Sequence, residues 1–214
     1  MQDMCLDICY REIGKAEKTM MPRKKTYDRE KALDLAMHAF WSCGVRNLGV
    51  RELEGMTGIN RFALQTEFGG KNGLLLETLE RYLAMSRETT LVPLRGGGLD
   101  GIIRFFRNMT AEGAPGACGC LMVNTAIENV ELKLDDVQKI TDDHFRRMRE
   151  LFEGALESAR DNGELPADFD TASAAKSLLT FAMGTQVLSR MEGNASACRD
   201  QTDFIIAQIE GWRR

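Results

Sequence analysis

The apolar residues of this chain recur at helical spacing along most of its length. An apolar stripe at positions i, i+3, i+4, i+7 and i+8 predicts a helix from about Asp28 to Cys43, which Gly44 ends. The stripe consists of Leu33, Ala36, Met37, Phe40 and Trp41. Strand-like alternation is rare, so the fold class indicated is all-α.

The same periodicity predicts further helices, with breaks at Pro93, at Gly96 to Gly98 and in a loop from Glu112 to Gly116. A long helix begins near Lys71 and carries Leu74, Leu75, Leu79 and Leu83. The later helices are predicted at Leu99–Met109, Gly119–Val130, Asp135 or Asp136 to about Asn162, Thr171–Met191 and Ala197–Trp212.

The segment from Val50 to Lys71 has the pattern of a helix-turn-helix followed by the start of another helix. Gly58 supplies the left-handed backbone that ends the first of these helices. Asn60 is placed to cap the second, because its side-chain oxygen can accept a free amide of the new first turn. Ile59, Ala63 and Leu64 should face inward. In such a motif the outward residues of the second helix reach the major groove, so this segment indicates a DNA-binding protein.

The chain resembles the tetracycline-repressor (TetR) family of bacterial transcription regulators over residues 23–213. The resemblance is strongest at Gly58-Ile59-Asn60-Arg61, Phe68 and Lys71, and is supported by Gly119 to Ala126 and by Gly163-Glu164-Leu165-Pro166. It implies an all-helical protein with an N-terminal three-helix helix-turn-helix head and a C-terminal helical bundle. It further implies a homodimer formed by the last two long helices, and a small-molecule effector pocket in the bundle.

The chemistry of the head suggests a role for each candidate DNA contact. The fork of Arg61 suits the two acceptors of guanine, and Lys71 at a helix N-terminus suits a phosphate. Phe62 can pack on a thymine methyl group, and Gln65 can bind adenine or phosphate. The predicted DNA-binding residues are Arg23, Lys24, Lys25, Asn60, Arg61, Phe62, Gln65 and Lys71.

One position departs from the family pattern. Gln65 stands where the family usually has a tyrosine that contacts a phosphate, and it spans less distance. Glu67 would repel a phosphate unless it points away. Lower operator affinity, an altered operator preference and loss of DNA binding all remain open.

Charge is divided unevenly along the 214 residues, whose net charge is −4. Residues 21–71 carry nine Lys or Arg against six Asp or Glu, whereas residues 72–214 carry sixteen against twenty-two. A basic head on an acidic body suits a protein that holds phosphate at one end. We therefore predict a DNA-binding domain at 21–71 and a ligand-binding and dimerisation domain at 72–214.

Residues 1–20 are predicted to be an N-terminal extension, either disordered or a loosely held leader in which Leu6, Ile8 and Ile13 could form a weak helix. They place Asp3, Asp7 and Glu12 where a secretory signal would be basic. No apolar run approaches the ~20 residues that span a bilayer. A cytoplasmic protein without a membrane partner is expected.

Six cysteines occur, and Cys118 and Cys120 form the one tight pair. The pair lies at the start of a predicted helix, whose N-terminus can lower the pKa of a nearby thiol. Structural thiols, sensing of electrophiles or oxidants, and sensing of a soft metal all remain open. With only His38 and His144 in the chain, a four-ligand zinc site lacks a framework, so no metal and no cofactor are predicted.

The effector pocket implied by the resemblance should be lined by aromatic residues and methionines suited to an apolar or amphipathic ligand. Asn124 is a polar residue in an apolar helix, where it either orients a ligand or satisfies a backbone group. The predicted ligand-binding residues are Phe105, Phe106, Met109, Cys118, Cys120, Met122, Asn124, Phe145 and Phe181.

Two apolar stripes near the C-terminus exceed what one protomer core needs, which favours a four-helix dimer interface. The predicted interface residues are Leu178, Leu179, Ala182, Met183, Val187, Ile205, Ile209 and Trp212. A dimer separates two heads by about one DNA turn, and a ligand that changes this spacing would release the DNA.

The sequence thus predicts a ligand-responsive repressor, released from a palindromic operator by a small apolar or electrophilic effector, and not an enzyme. The first alternative is a helical binding or adaptor protein with weakened DNA recognition. The second is a dithiol oxidoreductase that uses Cys118 and Cys120, although the pair lacks the usual spacing of two intervening residues.

Overall fold

The computed structural model of the chain describes residues 27–111 and 118–214. The predicted N-terminal extension, the basic arm with Arg23, Lys24 and Lys25, and the predicted 112–116 loop lie outside the described residues.

The described residues form α-helices joined by short turns, as the apolar periodicity predicts. The helices are α1 (Arg29–Cys43), α2 (Val50–Thr57), α3 (Arg61–Phe68), α4 (Lys71–Glu88), α5 (Gly98–Met109), α6 (Leu121–Leu132), α7 (Asp135–Asp161), α8 (Thr171–Glu192) and α9 (Arg199–Gly211). Short 3₁₀ helices occur at Val92–Leu94 and Ala195–Cys198. The all-α fold class is confirmed.

The first helix begins and ends where its sequence signals predict. The Asp28 side chain accepts hydrogen bonds from the amides of Glu30 and Lys31, which satisfies two free donors of the first turn. Gly44 ends the helix, and its amide donates a hydrogen bond of 3.0 Å to the Phe40 carbonyl. All five residues of the predicted apolar stripe are buried.

Two helix starts differ from the prediction. Helix α6 begins at Leu121 and not at Gly119, because Gly119 has φ +69° and Cys120 is extended as the N-cap. The last helix begins at Arg199 and not at Ala197, because Asn194 caps a separate 3₁₀ turn through the Ser196 amide at 3.0 Å.

The residues divide into two compact units within α4. Of the described residues, one unit contains 27–82 and Val130–Leu132, and the other contains 83–111, 118–129 and Lys133–Arg214. The predicted boundary at residue 71 falls at the start of α4, whereas the first three turns of α4 belong with α1. The rings of Trp41 and Tyr82 meet edge to face at 5.1 Å.

The second unit has its own apolar core, formed by α5, α7, α8 and α9. Phe105 and Phe106 of α5 each contact Phe152 of α7, with ring centroids 5.3 and 6.0 Å apart. These aromatic rings are fully enclosed, and the burial of their apolar area stabilises this unit. Among the described residues, no helix is both long and apolar enough to cross a membrane.

Candidate nucleic-acid interface

The turn between α2 and α3 has the predicted conformation. Gly58 is left-handed with φ +73°, and its amide bonds the Glu54 carbonyl at 3.0 Å. The Thr57 hydroxyl stabilises this turn, because it accepts a hydrogen bond of 3.1 Å from the Ile59 amide. Asn60 caps α3 by accepting the Ala63 amide at 2.9 Å. The chain therefore passes from α2 to α3 through three residues, and local hydrogen bonds stabilise the turn.

Helix α3, called the recognition helix below, presents two different faces. Ile59 before it and Ala63 and Leu64 within it are buried, at 1%, 6% and 3% exposure. Its opposite face is solvent-exposed, and Phe62 is 77% exposed despite being apolar. The exposed residues of this face are Arg61, Phe62, Gln65 and Thr66. A cation, an aromatic ring and an amide are thus available to base edges and phosphates, whereas the Thr66 hydroxyl donates to the Phe62 carbonyl at 2.9 Å.

Lys71 begins α4 and is half-buried. Its ammonium donates a hydrogen bond to the Leu48 carbonyl. An ammonium carries three donors, so this bond is compatible with the predicted phosphate contact while it restricts where the charge can move. Sequence reasoning placed Lys71 at the helix start but did not find its tie to Leu48.

Glu67 is engaged by a residue that sequence reasoning missed. Its carboxylate accepts a hydrogen bond of 2.9 Å from the Tyr27 hydroxyl. Burial, followed by the hydrogen bond and the negative charge of Glu67, raises the pKa of Tyr27 to about 12. Tyr27 also lies near Gly58, since a Cβ added there would be 3.9 Å from the Tyr27 Cβ. No local sequence signal points to this contact across forty positions.

Ion pairs join α1 to α4 and so help to fix the head. Arg81 contacts both carboxylate oxygens of Asp34, at 2.5 and 3.0 Å, and Glu30 at 2.6 Å. These bonds raise the pKa of Arg81 above its already high value. Arg29 bonds Glu77 at 2.6 Å and lies 5.0 Å above the ring of Phe68. The last residue of α3 is thereby held against α1.

The Cys118-Gly119-Cys120 loop lies against α8. The Cys118 carbonyl accepts hydrogen bonds from Asn124 at 2.8 Å and Arg190 at 3.2 Å. A Cβ on Gly119 would lie 2.5 Å from the Gln186 carbonyl, so only glycine fits. Asn124 therefore satisfies a backbone group, one of the two roles left open for it. Both thiols are half-buried.

The predicted ligand-binding residues are distributed between core and partly exposed positions. Phe105, Phe106, Met109 and Met122 are buried in the single chain, at 7% exposure or less. Phe145 and Phe181 are half-buried, and Phe181 packs edge to face on Phe106 at 5.8 Å. Within residues 27–111 and 118–214, no three His, Cys, Asp or Glu side chains converge as metal ligands.

The predicted interface residues also separate into two groups. Leu178, Ala182 and Ile209 are buried inside the single chain, at 2% exposure or less, so they belong to its core. The other five are half-buried: Leu179, Met183, Val187, Ile205 and Trp212. Met191 and Phe204 are apolar but 74% and 62% exposed, and Leu188 is 38% exposed. The interface prediction omitted Leu188 and Met191, although their positions on α8 follow from helical spacing, whereas it placed Phe204 in the apolar stripe of α9.

The fold and the exposed face of α3 define a helix-turn-helix DNA-binding protein with a helical C-terminal body. The "Tetracyclin repressor-like, C-terminal domain" family matches residues 98–205. The chain belongs to the tetracycline-repressor family of transcriptional regulators.

Individual relatives agree with this assignment. The HTH-type transcriptional repressor ComR of Escherichia coli (strain K12) is 27% identical over 175 residues, which cover 78% of this chain and 82% of ComR. A cysteine-substituted mutant of the TetR family transcriptional regulator CifR, complexed with 26-base-pair double-strand operator DNA, superposes with a TM-score of 0.73 at 22% identity, covering 90% of this chain and 100% of that chain. Reduced Escherichia coli NemR superposes with a TM-score of 0.72 at 20% identity, covering 87% and 97%. The two structures are similar in fold.

Proposed function

We propose that this protein is a cytoplasmic, homodimeric repressor that binds a palindromic operator and leaves it when a small apolar or electrophilic effector binds. Residues 21–71 bind the DNA, and residues 72–214 bind the effector and form the dimer. The protein acts by binding and not by catalysis.

The observation that carries this proposal is the exposed face of α3. Burying Phe62 would remove an aromatic ring from water, yet the fold leaves it exposed beside Arg61, Gln65 and Thr66. The opposite face anchors α3 through Ala63 and Leu64, and Asn60 caps its start. A helix that is anchored on one face and exposed on the other satisfies the geometric requirement for insertion into a major groove.

The proposed response to an effector rests on the loop at Cys118. The carbonyl of Cys118 bonds both Asn124 of α6 and Arg190 of α8. A group added to either half-buried thiol would therefore disturb contacts with α8, one of the two helices proposed to form the dimer. The competing interpretation is that both thiols have only a structural role. Alkylation of the Cys118→Ser and Cys120→Ser variants distinguishes this structural role from a role in effector sensing.

The experiment is a fluorescence anisotropy titration of the protein with DNA from its own upstream intergenic region, with a scrambled duplex as control, at low and high salt. Selective binding that weakens with salt is expected, because binding to phosphates releases counterions. Equal or absent binding to both duplexes would contradict the repressor. A Gln65→Tyr variant that alone gains selective binding would favour the adaptor alternative.

A further inference from the structure

Phe62 is the most exposed large apolar side chain among the described residues, at 77%. It lies in the first turn of α3, next to the exposed Arg61 and before the buried Ala63 and Leu64. In a helix-turn-helix the N-terminal residues of the recognition helix contact base edges in the major groove. The ring is therefore placed where a base edge would cover it.

Three polar side chains on or next to α3 are engaged within the fold. The Thr66 hydroxyl donates a hydrogen bond of 2.9 Å to the Phe62 carbonyl, one turn earlier in the same helix. The Glu67 carboxylate accepts a hydrogen bond of 2.9 Å from the Tyr27 hydroxyl. Asn60 caps the helix. These bonds direct the three polar groups to partners within the protein, which leaves base recognition to the other exposed residues of α3.

Gln65 is exposed, but its side chain is directed toward the start of α4. A Cβ placed on Gly70 would lie 3.3 Å from the Gln65 Oε1, so the amide oxygen lies next to Gly70. The Gly70 carbonyl accepts the Leu74 amide at 3.0 Å, which is the first backbone bond of α4. Recognition of adenine uses the oxygen and the nitrogen of a glutamine amide together. With its oxygen at Gly70, Gln65 presents its N–H donors, which suit a phosphate beside the start of α4.

Arg61 and Phe62 match two groups of the major groove. Guanine presents two acceptors, N7 and O6, which fit the fork of an arginine, and thymine presents an apolar C5 methyl group. The Phe62 ring carries no hydrogen-bonding group, so contact with a methyl group is favourable because it removes apolar surface of both partners from water. Cytosine has no methyl group at this position, so the ring favours thymine over cytosine.

We propose that Phe62 recognises the C5 methyl group of a thymine, that Arg61 recognises a guanine, and that these two residues carry the base selectivity of α3 while Gln65 binds phosphate. An operator whose thymines lack the methyl group is therefore a poor ligand, although its base pairing is unchanged. This inference rests on the proposed function, because it takes α3 as the helix that contacts DNA. It adds the chemical groups of the operator that α3 recognises.

The test changes one group of the DNA at a time and does not require the operator sequence. The upstream intergenic region and a scrambled duplex are amplified with thymidine, with deoxyuridine, which lacks the C5 methyl group, or with 5-bromodeoxyuridine, whose bromine takes the place of that methyl group. Mobility-shift titrations at one salt concentration measure the affinity of the full-length protein. Deoxyuridine should weaken binding to the upstream DNA at least about fourfold, the contribution of one buried methyl group, and bromine should restore it. The three scrambled duplexes should bind alike.

Variants assign the methyl effect to the ring. Phe62→Ala should bind the thymidine and deoxyuridine forms of the upstream DNA equally, because the methyl group has lost its contact. Its melting temperature should match that of the wild type, since the ring is exposed in the free protein. Gln65→Ala should weaken both forms to the same extent and keep their ratio. Val130→Ala is the matched control, because Val130 is 74% exposed on α6, outside α3, and it should leave both affinities unchanged.

The arginine is tested in the same way with 7-deazaguanine, which replaces N7 by a carbon and keeps the base pair. This base should weaken binding by the wild type at least about fivefold and have no effect on Arg61→Ala. Arg61→Ala should retain the preference for thymidine over deoxyuridine, and Phe62→Ala should retain the sensitivity to 7-deazaguanine. This crossed pattern assigns each base group to one side chain.

Several results would overturn the inference. They are a deoxyuridine effect that survives Phe62→Ala, a deoxyuridine effect of equal size on the scrambled duplex, and a thymidine-to-deoxyuridine ratio that Gln65→Ala changes. Selective binding of the unmodified upstream DNA without any effect of deoxyuridine would reject this inference and leave the proposed repressor intact. Absence of selectivity for the unmodified upstream DNA would contradict both.

Discussion

The Tyr27 hydroxyl donates a hydrogen bond of 2.9 Å to the Glu67 carboxylate, which links the residue before the N-cap of α1 to the recognition helix. The acidic group beside the predicted phosphate-facing residues is therefore occupied by a neutral donor. The same bond holds Tyr27 beside the recognition helix.

Replacing Glu67 with Gln should lower the pKa of Tyr27 from about 12 toward the ordinary value of 10.0. Glutamine keeps an oxygen that can accept the Tyr27 hydroxyl but removes the negative charge that opposes its ionisation, whereas the contribution of burial remains. Ultraviolet titration of tyrosinate measures the change, and Tyr27→Phe identifies the signal. A Tyr27 titration unchanged in Glu67→Gln would mean that the bond does not form in solution.

Arg61→Ala should reduce the preference for operator over scrambled DNA by about 1–3 kcal/mol, the contribution of one bidentate contact to guanine. Arg104→Ala removes an equally exposed arginine from α5 and serves as the control for loss of charge. Anisotropy titrations with both duplexes measure the preference. If Arg61→Ala weakens both duplexes equally, the residue contacts phosphate and not a base.

Acid should destabilise the fold through His144. Its pKa falls from 6.5 in the unfolded chain to about 4 in the fold, so the unfolded state binds more protons between these values. This pKa difference contributes on the order of 3 kcal/mol to the free energy of unfolding. The full contribution is present above pH 6.5 and is lost as the pH falls toward about 4. Urea denaturation at constant protein concentration measures it. His144→Asn should remove this part of the dependence of the unfolding free energy on pH, whereas His38→Asn should retain it.

Gly119→Ala should destabilise the protein by roughly 1–3 kcal/mol, because it adds a Cβ at positive φ against the Gln186 carbonyl. Gly154 provides the opposite case, since it is exposed within α7 and a Cβ there meets nothing within 4 Å. Gly154→Ala should stabilise by about 0.5–1 kcal/mol. Urea denaturation compares the two variants, and a neutral Gly119→Ala would show that the loop does not pack on α8 as described.

Phe204→Asp and Met191→Lys should weaken dimerisation at least about tenfold, because each places a charge where the proposed interface buries an apolar side chain in both protomers. Ile127→Lys changes a residue that is 57% exposed on α6, outside the proposed interface, and is the matched control. Sedimentation velocity over a concentration series measures the dissociation constant. Equal weakening by Ile127→Lys would count against an interface on α8 and α9.

Local chemistry made the head predictable from the sequence. A cap needs one side chain within three residues, as at Asn60, and Gly58 was the residue able to adopt the left-handed turn between α2 and α3. The buried and exposed faces of α3 follow from a repeat of 3.6 residues. These signals act over one or two helical turns, so the structure that they specify can be predicted without knowledge of any other part of the chain.

Periodicity was less informative in the body. It identified apolar positions on α8 and α9, but it did not distinguish Leu178 and Ile209, which pack inside the protomer, from the exposed Met191 and Phe204. A helix with apolar residues on more than one face has no internal signal for which face meets the protomer core. The packing of neighbouring helices decides that.

The sequence by itself determined the helices, the turn at Gly58 and the exposed chemistry of α3, because spacing, capping and backbone preference act locally. The tertiary structure alone decided that Tyr27 meets Glu67, that the Cys118 loop lies on α8, and that the Thr125 hydroxyl is buried without a hydrogen-bond partner among the described residues. Each of these depends on which distant segments come together. Burial of apolar surface drives that association and carries little information about individual partners.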